Sequence, residues 1–228
     1  MAHLCRFYIT PETATSECMD LDPEEAHHAA RVVRAQQGDS VVLFDGQGRL
    51  IRGTIETITK RDVIIRVGAE EVVPRPPRRL TLIQAWLHRD KAIEQLVRQG
   101  TALGITAIRF YRADRSDKRP KENPKWDRLA IEACKQCGRL WLPEFTTHDS
   151  LADALDNPTG PIIAATDSDD AVAVGQLPLG DGQATLVVGP EGDFTDGERA
   201  VLRERDAISL TLGSAIYRSE TAAILGSI

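Results

Sequence analysis

Two short loops, each directly after an apolar run, hold the residues of this sequence that are best suited to bind a ligand. The first loop, residues 189–193, reads Gly-Pro-Glu-Gly-Asp and follows the largely β-branched run at 185–188. Its glycines let the backbone approach a ligand closely, and Pro190 stiffens the turn. Glu191 and Asp193 would repel a phosphate, so the loop suits a ligand with amino or hydroxyl groups or a positive charge.

A second loop has the same form. The stretch ISLTLGSAIYRSETAAI at 208–224 reads as strand, glycine, irregular loop and helix. We predict Ser219 as the N-cap of that helix, with Arg218 and Glu220 beside it. Either loop alone could be an ordinary strand-to-helix turn. Two such loops at neighbouring strand ends, where open α/β sheets bind ligands, favour a site that grips one small molecule between two backbones.

The elements around these loops predict an α/β fold. The runs LTLIQAW, ITAIRFY, PIIAATD, ATLVVG and AISLTLG are continuously apolar, and helices are predicted around 89–103 and 124–138. Such runs are typical of strands buried on both faces, as in a parallel sheet covered by helices. Thr195 and Glu198 form the pattern T-x-x-E, which predicts a capping box where the helix after the first loop begins.

The N-terminal third has a different pattern. Its segments CRFYI, SVVLFDGQG, LIRGTIETIT and DVIIRVG are short and β-rich, and DPEEAHHAARVVRA predicts one helix with Asp22 as N-cap and Pro23 at its first position. This pattern predicts a small barrel with a curled antiparallel sheet. The proline-rich stretch VVPRPPRRL can continue neither a strand nor a helix. We therefore predict a barrel domain at 1–73, a linker at 74–79 and an α/β domain at 80–228.

Composition narrows the function class. The 228 residues contain no apolar run of 18 and no apolar signal core, which predicts a cytoplasmic protein without a membrane span. Residues 81–141 carry 13 basic and 7 acidic side chains, whereas residues 142–228 carry 4 and 15. A basic middle segment could hold a phosphate backbone; a solvated surface of mixed charge is the alternative. Cys134 and Cys137 form an isolated C-x-x-C within a predicted helix, so we expect reduced cysteines and no metal site.

The two loops also carry a family resemblance. GPEGDFTDGE followed by LGSAIYRSETAA resembles the paired signature of the RsmE family in the SPOUT methyltransferase superfamily. LFDGQG, EQLVRQGTALGITAIRFYRADRS and AIEACKQCGR resemble further family stretches in the same order, so the likeness covers nearly the whole chain. The sequence departs from the family pattern at Asp193, where a second glycine is common, and at Ser214, Ala215 and Tyr217, where proline, arginine and leucine are frequent.

The resemblance implies a fold and an activity. Family members join an N-terminal PUA-like β-barrel that binds RNA to a C-terminal SPOUT α/β domain with a parallel sheet and a deep trefoil knot. They transfer a methyl group from S-adenosylmethionine to N3 of a uridine in 16S ribosomal RNA of the small subunit. They act as homodimers, with the active site at the subunit interface. The last helix is usually longer than the stretch that ends here at Ile228.

The resemblance makes the two loops facing walls of a cofactor pocket. The cofactor-binding residues that it implies are Thr166, Val188, Gly189, Pro190, Glu191, Gly192, Leu212, Gly213, Ala215, Ile216, Tyr217, Arg218 and Thr221. Methylation of uracil N3 requires loss of a weakly acidic proton, for which Glu191 and Glu220 are candidate bases. Arg218 is a candidate to stabilise the uracil oxyanion. The alternatives are a helix-start role for Glu220 and an ion pair for Arg218.

The expected RNA contacts come from both predicted domains. The candidates are Arg6, Tyr8, His28, Arg31, Arg34, Arg112, Arg115, Lys118, Arg119 and Lys121, with Arg31 and Arg34 on one helical face. Any one of them could instead be solvated surface charge. Two other functions stay open at this point: a SPOUT methyltransferase that acts on another RNA such as transfer RNA, and a non-catalytic RNA-binding protein.

Overall fold

The computed structural model describes residues 4–59, 61–116, 118–177, 180 and 182–228. The chain divides into two compact units, of which the first comprises residues 1–75 with 131–142 and the second comprises residues 76–130 with 143–228. The chain first passes from one unit to the other within the proline-rich stretch. Residues 73–78 of that stretch form neither helix nor strand, as its prolines require.

A five-stranded sheet forms the first unit. Its strands are β1 (Cys5–Tyr8), β2 (Cys18–Asp20), β3 (Ser40–Phe44), β4 (Arg49–Ile58) and β5 (Val63–Val72), in the spatial order β1-β3-β4-β5-β2. The predicted antiparallel arrangement is confirmed for three pairings and wrong for β1 with β3, which run parallel. The long connection between these two strands, through β2 and a helix, permits the parallel pairing. Phe7, Leu43, Ile51 and Ile65 form the fully buried centre of this unit.

The helix of the first unit is only partly as predicted. Helix α1 (Pro23–His27) has Asp22 as its N-cap. The Asp22 carboxylate accepts hydrogen bonds from the backbone N–H groups of Glu24 and Glu25 at 2.8 and 3.0 Å. A π-helical turn, His28–Val33, then replaces the expected α-helix, and the following Arg34 takes a left-handed conformation with φ of 58°. Arg31 and Arg34 therefore do not share an α-helical face, because the helix changes hydrogen-bonding pattern before it reaches them.

The second unit contains a seven-stranded sheet in which all pairings are parallel, as the apolar runs predicted. The strands lie in the spatial order β10-β12-β9-β11-β6-β7-β8. Their bounds are β6 (Arg79–Ala85), β7 (Ala107–Tyr111), β8 (Glu144–His148), β9 (Ile162–Ala165), β10 (Val172–Ala173), β11 (Gln183–Val188) and β12 (Ile208–Thr211). The edge strands β8 and β10 were not predicted, because one is rich in polar residues and the other has two residues.

Helices alternate with these strands. They are α2 (Asp90–Leu103), α3 (Lys125–Cys137), α4 (Leu151–Ala154), α5 (Asp196–Glu204) and α6 (Ser219–Gly226), with one 3-10 turn at Val174–Gln176. The last residues of α3 belong to the first unit. One buried cluster of the second unit contains Ile83, Tyr111, Leu155 and Val187, so the middle strands are covered by apolar side chains. No helix in the described part of the chain is long and apolar enough to cross a membrane.

Candidate cofactor site at the carboxyl edge of the sheet

The two predicted loops emerge at one edge of the parallel sheet. β11 ends at Val188, which pairs with Ala165 at the end of β9 and with Gln84 near the end of β6. β12 pairs with β9 on the other side, where Leu210 lies beside Ala165. Since parallel strands end at the same edge, residues 189–195 after β11 and residues 212–218 after β12 begin close together.

Backbone geometry explains the unusual residue of the first loop. Asp193 has a φ of 60°, the left-handed region that glycine adopts most easily and that aspartate tolerates better than most residues. Its carboxylate accepts the backbone N–H of Phe194 at 2.7 Å and forms an ion pair with Arg199. Asp193 thus adopts the left-handed conformation at a position where glycine is common in the family pattern. Its side chain adds two contacts that a glycine cannot make.

The helix after the first loop begins as predicted. The Thr195 side chain accepts the N–H of Glu198 at 3.1 Å, and the Glu198 carboxylate accepts the N–H of Thr195 at 2.8 Å, which confirms the capping box. The Thr195 hydroxyl also donates to Asp114 at 2.5 Å. Hydrogen bonds of Thr195 with Glu198 and with Asp114 therefore fix this end of the loop.

The second loop is open and glycine-dependent at its start. Gly213 has a φ of 104°, and its N–H donates to the Thr211 hydroxyl at 3.2 Å. The following residues are exposed, including Ile216 at 99% of its full accessible area and Tyr217 at 39%.

Ser219 connects the two loops instead of capping a helix. The N-cap of α6 is Arg218, so the prediction of Ser219 at that position is wrong by one residue. Ser219 is buried, and its hydroxyl donates to the carbonyl of Gly189 at 2.5 Å. The same hydroxyl accepts the Nε2–H of Gln84 at 2.7 Å. The two buried partners need this hydroxyl, because water cannot replace it. The first-turn N–H groups of α6 can bind water at the helix start and do not need a side-chain cap.

A cavity of about 210 Å³ lies between the loops. It is lined by most of the predicted cofactor residues, namely Thr166, Val188, Gly189, Pro190, Glu191, Leu212, Gly213, Ala215, Ile216 and Tyr217. Gly192, Arg218 and Thr221 are not among the lining residues. The lining also includes residues that were not predicted to bind the cofactor: Ala165, Asp167, Asp193, Leu210, Thr211, Ser219 and Ala222. Asp167 could have been found, since it follows the apolar run PIIAAT at the same sheet edge.

The three candidate catalytic residues lie in the first loop, at the end of the second loop and in the first turn of α6. Glu191 is exposed and lines the cavity, whereas Glu220 is half-buried in the first turn of α6. Arg218 is exposed at the N-cap of α6. Among the described residues it forms no ion pair, so the ion-pair alternative for Arg218 has no support in that part of the chain.

Candidate RNA-binding residues of the first unit are partly engaged in its packing. The Arg6 guanidinium donates to the backbone carbonyl of Lys135 at 3.4 Å, and the Tyr8 ring contacts Phe44 edge to face at 5.7 Å. Burial, with the positive charge of Lys135, lowers the pKa of His28. Arg31 and Arg34 are exposed. The exposed pair is therefore the freest to contact a phosphate backbone.

The remaining basic candidates belong to the second unit. Arg112 is half-buried and donates to the carbonyl of Ser116 at 3.2 Å. Arg119 lies 3.5 Å from Asp149, with both side chains largely exposed. Exposed ion pairs of this kind contribute little to stability, so Arg119 can exchange its partner for a phosphate at low cost. Arg115, Lys118 and Lys121 are exposed.

The cysteines are free thiols, as expected for Cys134 and Cys137. Cys134 is buried and Cys137 is exposed at the end of α3. Within the described residues no cluster of three or more His, Cys, Asp and Glu side chains is placed to hold a metal ion.

The fold and site together define a class: an α/β protein with a parallel sheet and a cavity for a small ligand at its carboxyl edge. Comparison with known families is specific. Residues 74–226 match the RNA methyltransferase domain family, and residues 21–68 match the RNA methyltransferase PUA domain family. The chain belongs to the RNA methyltransferase family and has a PUA domain at its N-terminus.

Individual relatives agree with this assignment. A ribosomal RNA small subunit methyltransferase E from Synechocystis is 26% identical, with 95% of this chain and 74% of the relative covered. The protein of the same name from Rickettsia conorii is 28% identical, with 96% and 91% covered. The crystal structure of a ribosomal RNA small subunit methyltransferase E from Neisseria gonorrhoeae, bound to S-adenosyl methionine, has a TM-score of 0.86 at 25% identity and covers 99% of this chain and 95% of its own.

Proposed function

We propose that this chain is an S-adenosylmethionine-dependent methyltransferase that methylates N3 of a uridine in 16S ribosomal RNA. The observation that carries the proposal is the cavity between the two loops, in a chain whose residues 74–226 match an RNA methyltransferase family. Relatives named ribosomal RNA small subunit methyltransferase E, one of them bound to S-adenosyl methionine, support the substrate and the cofactor.

The lining of the cavity fits the cofactor's chemistry. Glu191 and Asp167 are carboxylates, and a carboxylate stabilises a sulfonium charge nearby. Val188, Leu210 and Ile216 offer apolar surface for a purine ring. When bound, S-adenosylmethionine supplies an electrophilic methyl group. We propose that the cofactor is held by the predicted residues that line the cavity. Gly192, Arg218 and Thr221, which do not line it, would contact the cofactor from the margin of the cavity.

The reaction requires the proton on uracil N3 to leave. Glu191 can accept that proton, because it lines the cavity and its exposed carboxylate can reorient towards a base that enters from solvent. Glu220, half-buried in the first turn of α6, is the second candidate base. Arg218 stands beside it at the N-cap, where its guanidinium can stabilise negative charge on a uracil oxygen.

Assembly is the next element of the proposal. A homodimer with a trefoil-knotted second unit would give the exposed apolar residues at the C-terminal end a partner surface. Ile216, Leu225 and Ile228 are 99%, 38% and 82% exposed, so burial against a second copy of the chain would remove apolar surface from water. The knot is proposed from the resemblance of the two loops to the SPOUT signature, and the Ser219–Gly189 hydrogen bond holds the start of α6 against the loop after β11.

For RNA binding we propose contacts from both units. We propose that residues 1–73 form a PUA-like β-barrel, residues 74–79 a linker and residues 80–228 the SPOUT methyltransferase domain. The exposed Arg31 and Arg34 of the first unit, and the basic residues at 112–121 of the second, would neutralise phosphates. A substrate in ribosomal RNA implies that the protein works in the cytoplasm.

Two measurements test this function against its alternatives. Calorimetry with S-adenosylmethionine separates an enzyme from a non-catalytic RNA-binding protein, which would show no binding heat. Nucleoside mass spectrometry of RNA from cells that lack the gene separates the RNA targets: we expect N3-methyluridine to disappear from 16S ribosomal RNA. Loss of a modified nucleoside from transfer RNA, with 16S ribosomal RNA unchanged, would favour the transfer-RNA alternative.

A further inference from the structure

A second concavity of the second unit lies apart from the cofactor cavity and shares no lining residue with it. Its volume is about 640 Å³, and it lies where β6 ends and α2 begins. Its walls are Trp86, His88, Asp90, Ile93, Glu94, Lys118, Arg119, Lys121, Glu122, Asn123 and Trp126. We call it the Trp86 groove. Because β6 pairs with β11, the groove opens at the same edge of the sheet as the cofactor cavity.

Trp86 is held rigidly while part of its ring stays accessible. It directly follows β6, and its backbone N–H donates to the carbonyl of Tyr111 at 2.8 Å. Its ring contacts Phe110 edge to face at 5.5 Å and Trp126 at 6.2 Å, and both of these partners are buried. Trp86 itself is half-buried. A fixed indole with an accessible surface is a stacking platform for a planar ring, since the entropy of ordering it is already lost.

The charges around Trp86 suit a nucleotide. Lys118, Arg119 and Lys121 are exposed cations on one segment of the groove. Of the carboxylates, Glu94 is already paired with Lys125 at 2.5 Å. Asp90 and Glu122 are exposed acceptors in the same groove. A carboxylate can only accept hydrogen bonds, so these two favour bases with an exocyclic amino group, which offers two N–H donors in adenine, cytosine and guanine, whereas the pairing edge of uracil has a single ring N–H.

We propose that the Trp86 groove binds an unpaired, amino-bearing base that neighbours the target uridine in the RNA substrate. The base stacks on Trp86, its amino group donates to Asp90 or Glu122, and the adjoining phosphates contact Lys118, Arg119 and Lys121. This inference rests on the proposed function and extends it, because it makes Trp86 a residue that recognises sequence next to the methylated position. Single-stranded RNA is commonly read by stacking of splayed bases on aromatic side chains.

Intrinsic fluorescence tests the stacking directly. The chain has three tryptophans, so Trp126→Phe with Trp141→Phe leaves Trp86 as the single reporter. Titration with a short single-stranded oligoadenylate should quench its emission, and an oligouridylate of equal length should bind several-fold more weakly. No quenching by oligoadenylate, or equal quenching by both oligonucleotides, would overturn the proposal.

Affinity for a 16S ribosomal RNA fragment gives the second test. Trp86→Leu should weaken binding by roughly 5- to 100-fold, the range expected for loss of one base–aromatic stack, whereas Trp86→Phe should retain most of the affinity. Trp141→Phe is the matched control, because Trp141 belongs to the first unit and its indole N–H donates to the Val73 carbonyl. Affinity for S-adenosylmethionine should not change in any of them, which also reports that the variants are folded.

The two failures are distinguishable. If the wild-type chain methylates ribosomal RNA and Trp86→Leu binds the fragment as tightly as wild type, the groove inference is wrong and the proposed function stands. If the wild-type chain transfers no methyl group to ribosomal RNA while oligoadenylate still quenches Trp86, the proposed substrate is wrong and the groove is a nucleotide site of another RNA-binding activity.

Discussion

The hydroxyl of Ser219 donates a hydrogen bond to the carbonyl of Gly189 at 2.5 Å, and this bond joins the two loops that enclose the candidate cofactor cavity. The amide of Gln84, fully buried in β6, donates to the same hydroxyl at 2.7 Å and to the Ala85 carbonyl at 3.1 Å. One serine therefore couples the ends of β6 and β11 to the start of α6. This buried hydrogen-bond network holds the two loops that enclose the cavity in place.

Removal of that hydroxyl should loosen the cavity. We expect Ser219→Ala to lower the free energy of unfolding by about 1–3 kcal/mol, because it removes the hydroxyl that donates to the buried Gly189 carbonyl and one of the two acceptors of the Gln84 amide. Affinity for S-adenosylmethionine should fall by about tenfold if the lost bond contributes about 1.4 kcal/mol to the loop arrangement. Urea unfolding and calorimetry measure the two effects.

Ser227 provides the control for this substitution. Its hydroxyl donates to the Ala223 carbonyl at 2.6 Å near the end of the same helix and does not line the cavity. Ser227→Ala should retain cofactor affinity. Equal cofactor affinity for Ser219→Ala and wild type would show that the hydrogen-bond network of Ser219 stabilises the fold but not the cofactor site.

The second loop can be tested at Gly213. Gly213→Ala places a Cβ on a residue with a φ of 104°, where no atom of the described residues other than its chain neighbours lies within 4 Å. The strain should cost about 1–2 kcal/mol of stability, and the new Cβ should intrude on a ligand that contacts this backbone. We expect cofactor affinity to fall by more than tenfold.

Gly38 separates strain from ligand contact. It has a φ of 91°, a Cβ added there would have no protein atom within 4 Å, and the residue belongs to the first unit. Gly38→Ala should lose a similar amount of stability and keep full cofactor affinity. If both substitutions leave calorimetric binding intact, the loop at 212–218 is not a wall of the cofactor site.

Much of this architecture could be predicted from the sequence, for identifiable reasons. The middle strands of the parallel sheet are buried on both faces, so their runs are continuously apolar, and Thr195 with Glu198 indicates the start of α5. Local patterns could not predict β8, whose residues are partly polar, or the π-helical turn after His27, which depends on packing.

The candidate site was predictable to the extent that backbone loops define it. The glycines of the two loops, with Pro190 in the first, mark them directly in the sequence. The role of Ser219 was not predictable, because its partners Gln84 and Gly189 lie 135 and 30 residues away in the chain. The groove at Trp86 was missed for the same reason: no local pattern indicates that residues 86–94 and 118–126 line one concavity.

The reactivity of Cys137 should show a pH dependence unlike that of an ordinary thiol. A hydrogen bond from the Cys134 thiol lowers the pKa of Cys137 from about 9 to about 6. The thiolate forms as pH rises through the pKa, so alkylation by iodoacetamide should reach half its maximal rate near pH 6 and be nearly complete in its rise by pH 7.

Two comparisons check this assignment by peptide mass spectrometry. Cys18 is exposed, but its hydrogen bond with Glu56 raises its pKa, so it should react slowly at neutral pH. Cys134→Ala should move the midpoint for Cys137 upward. A midpoint near pH 9 for Cys137 in the wild-type chain would contradict the proposed hydrogen bond.

Arg218 should affect turnover far more than binding. If its guanidinium stabilises negative charge on uracil, Arg218→Ala should lower the single-turnover rate by roughly 10²-fold or more, with RNA affinity almost unchanged. Arg203, in the last turn of α5 and exposed, is a control outside the cofactor cavity, and Arg203→Ala should transfer methyl groups at the wild-type rate. Normal methylation by Arg218→Ala would remove the charge-stabilising role.

The central claim is methyl transfer to one atom of one base, and a labelled transfer reaction tests it most directly. Purified protein is incubated with S-adenosylmethionine that carries a deuterated methyl group and with unmodified 16S ribosomal RNA, and the RNA is mapped by mass spectrometry. We predict a single deuterated N3-methyluridine in 16S ribosomal RNA. Label on a ribose, on another base or only on added transfer RNA would contradict the account, as would no label from protein that binds the cofactor.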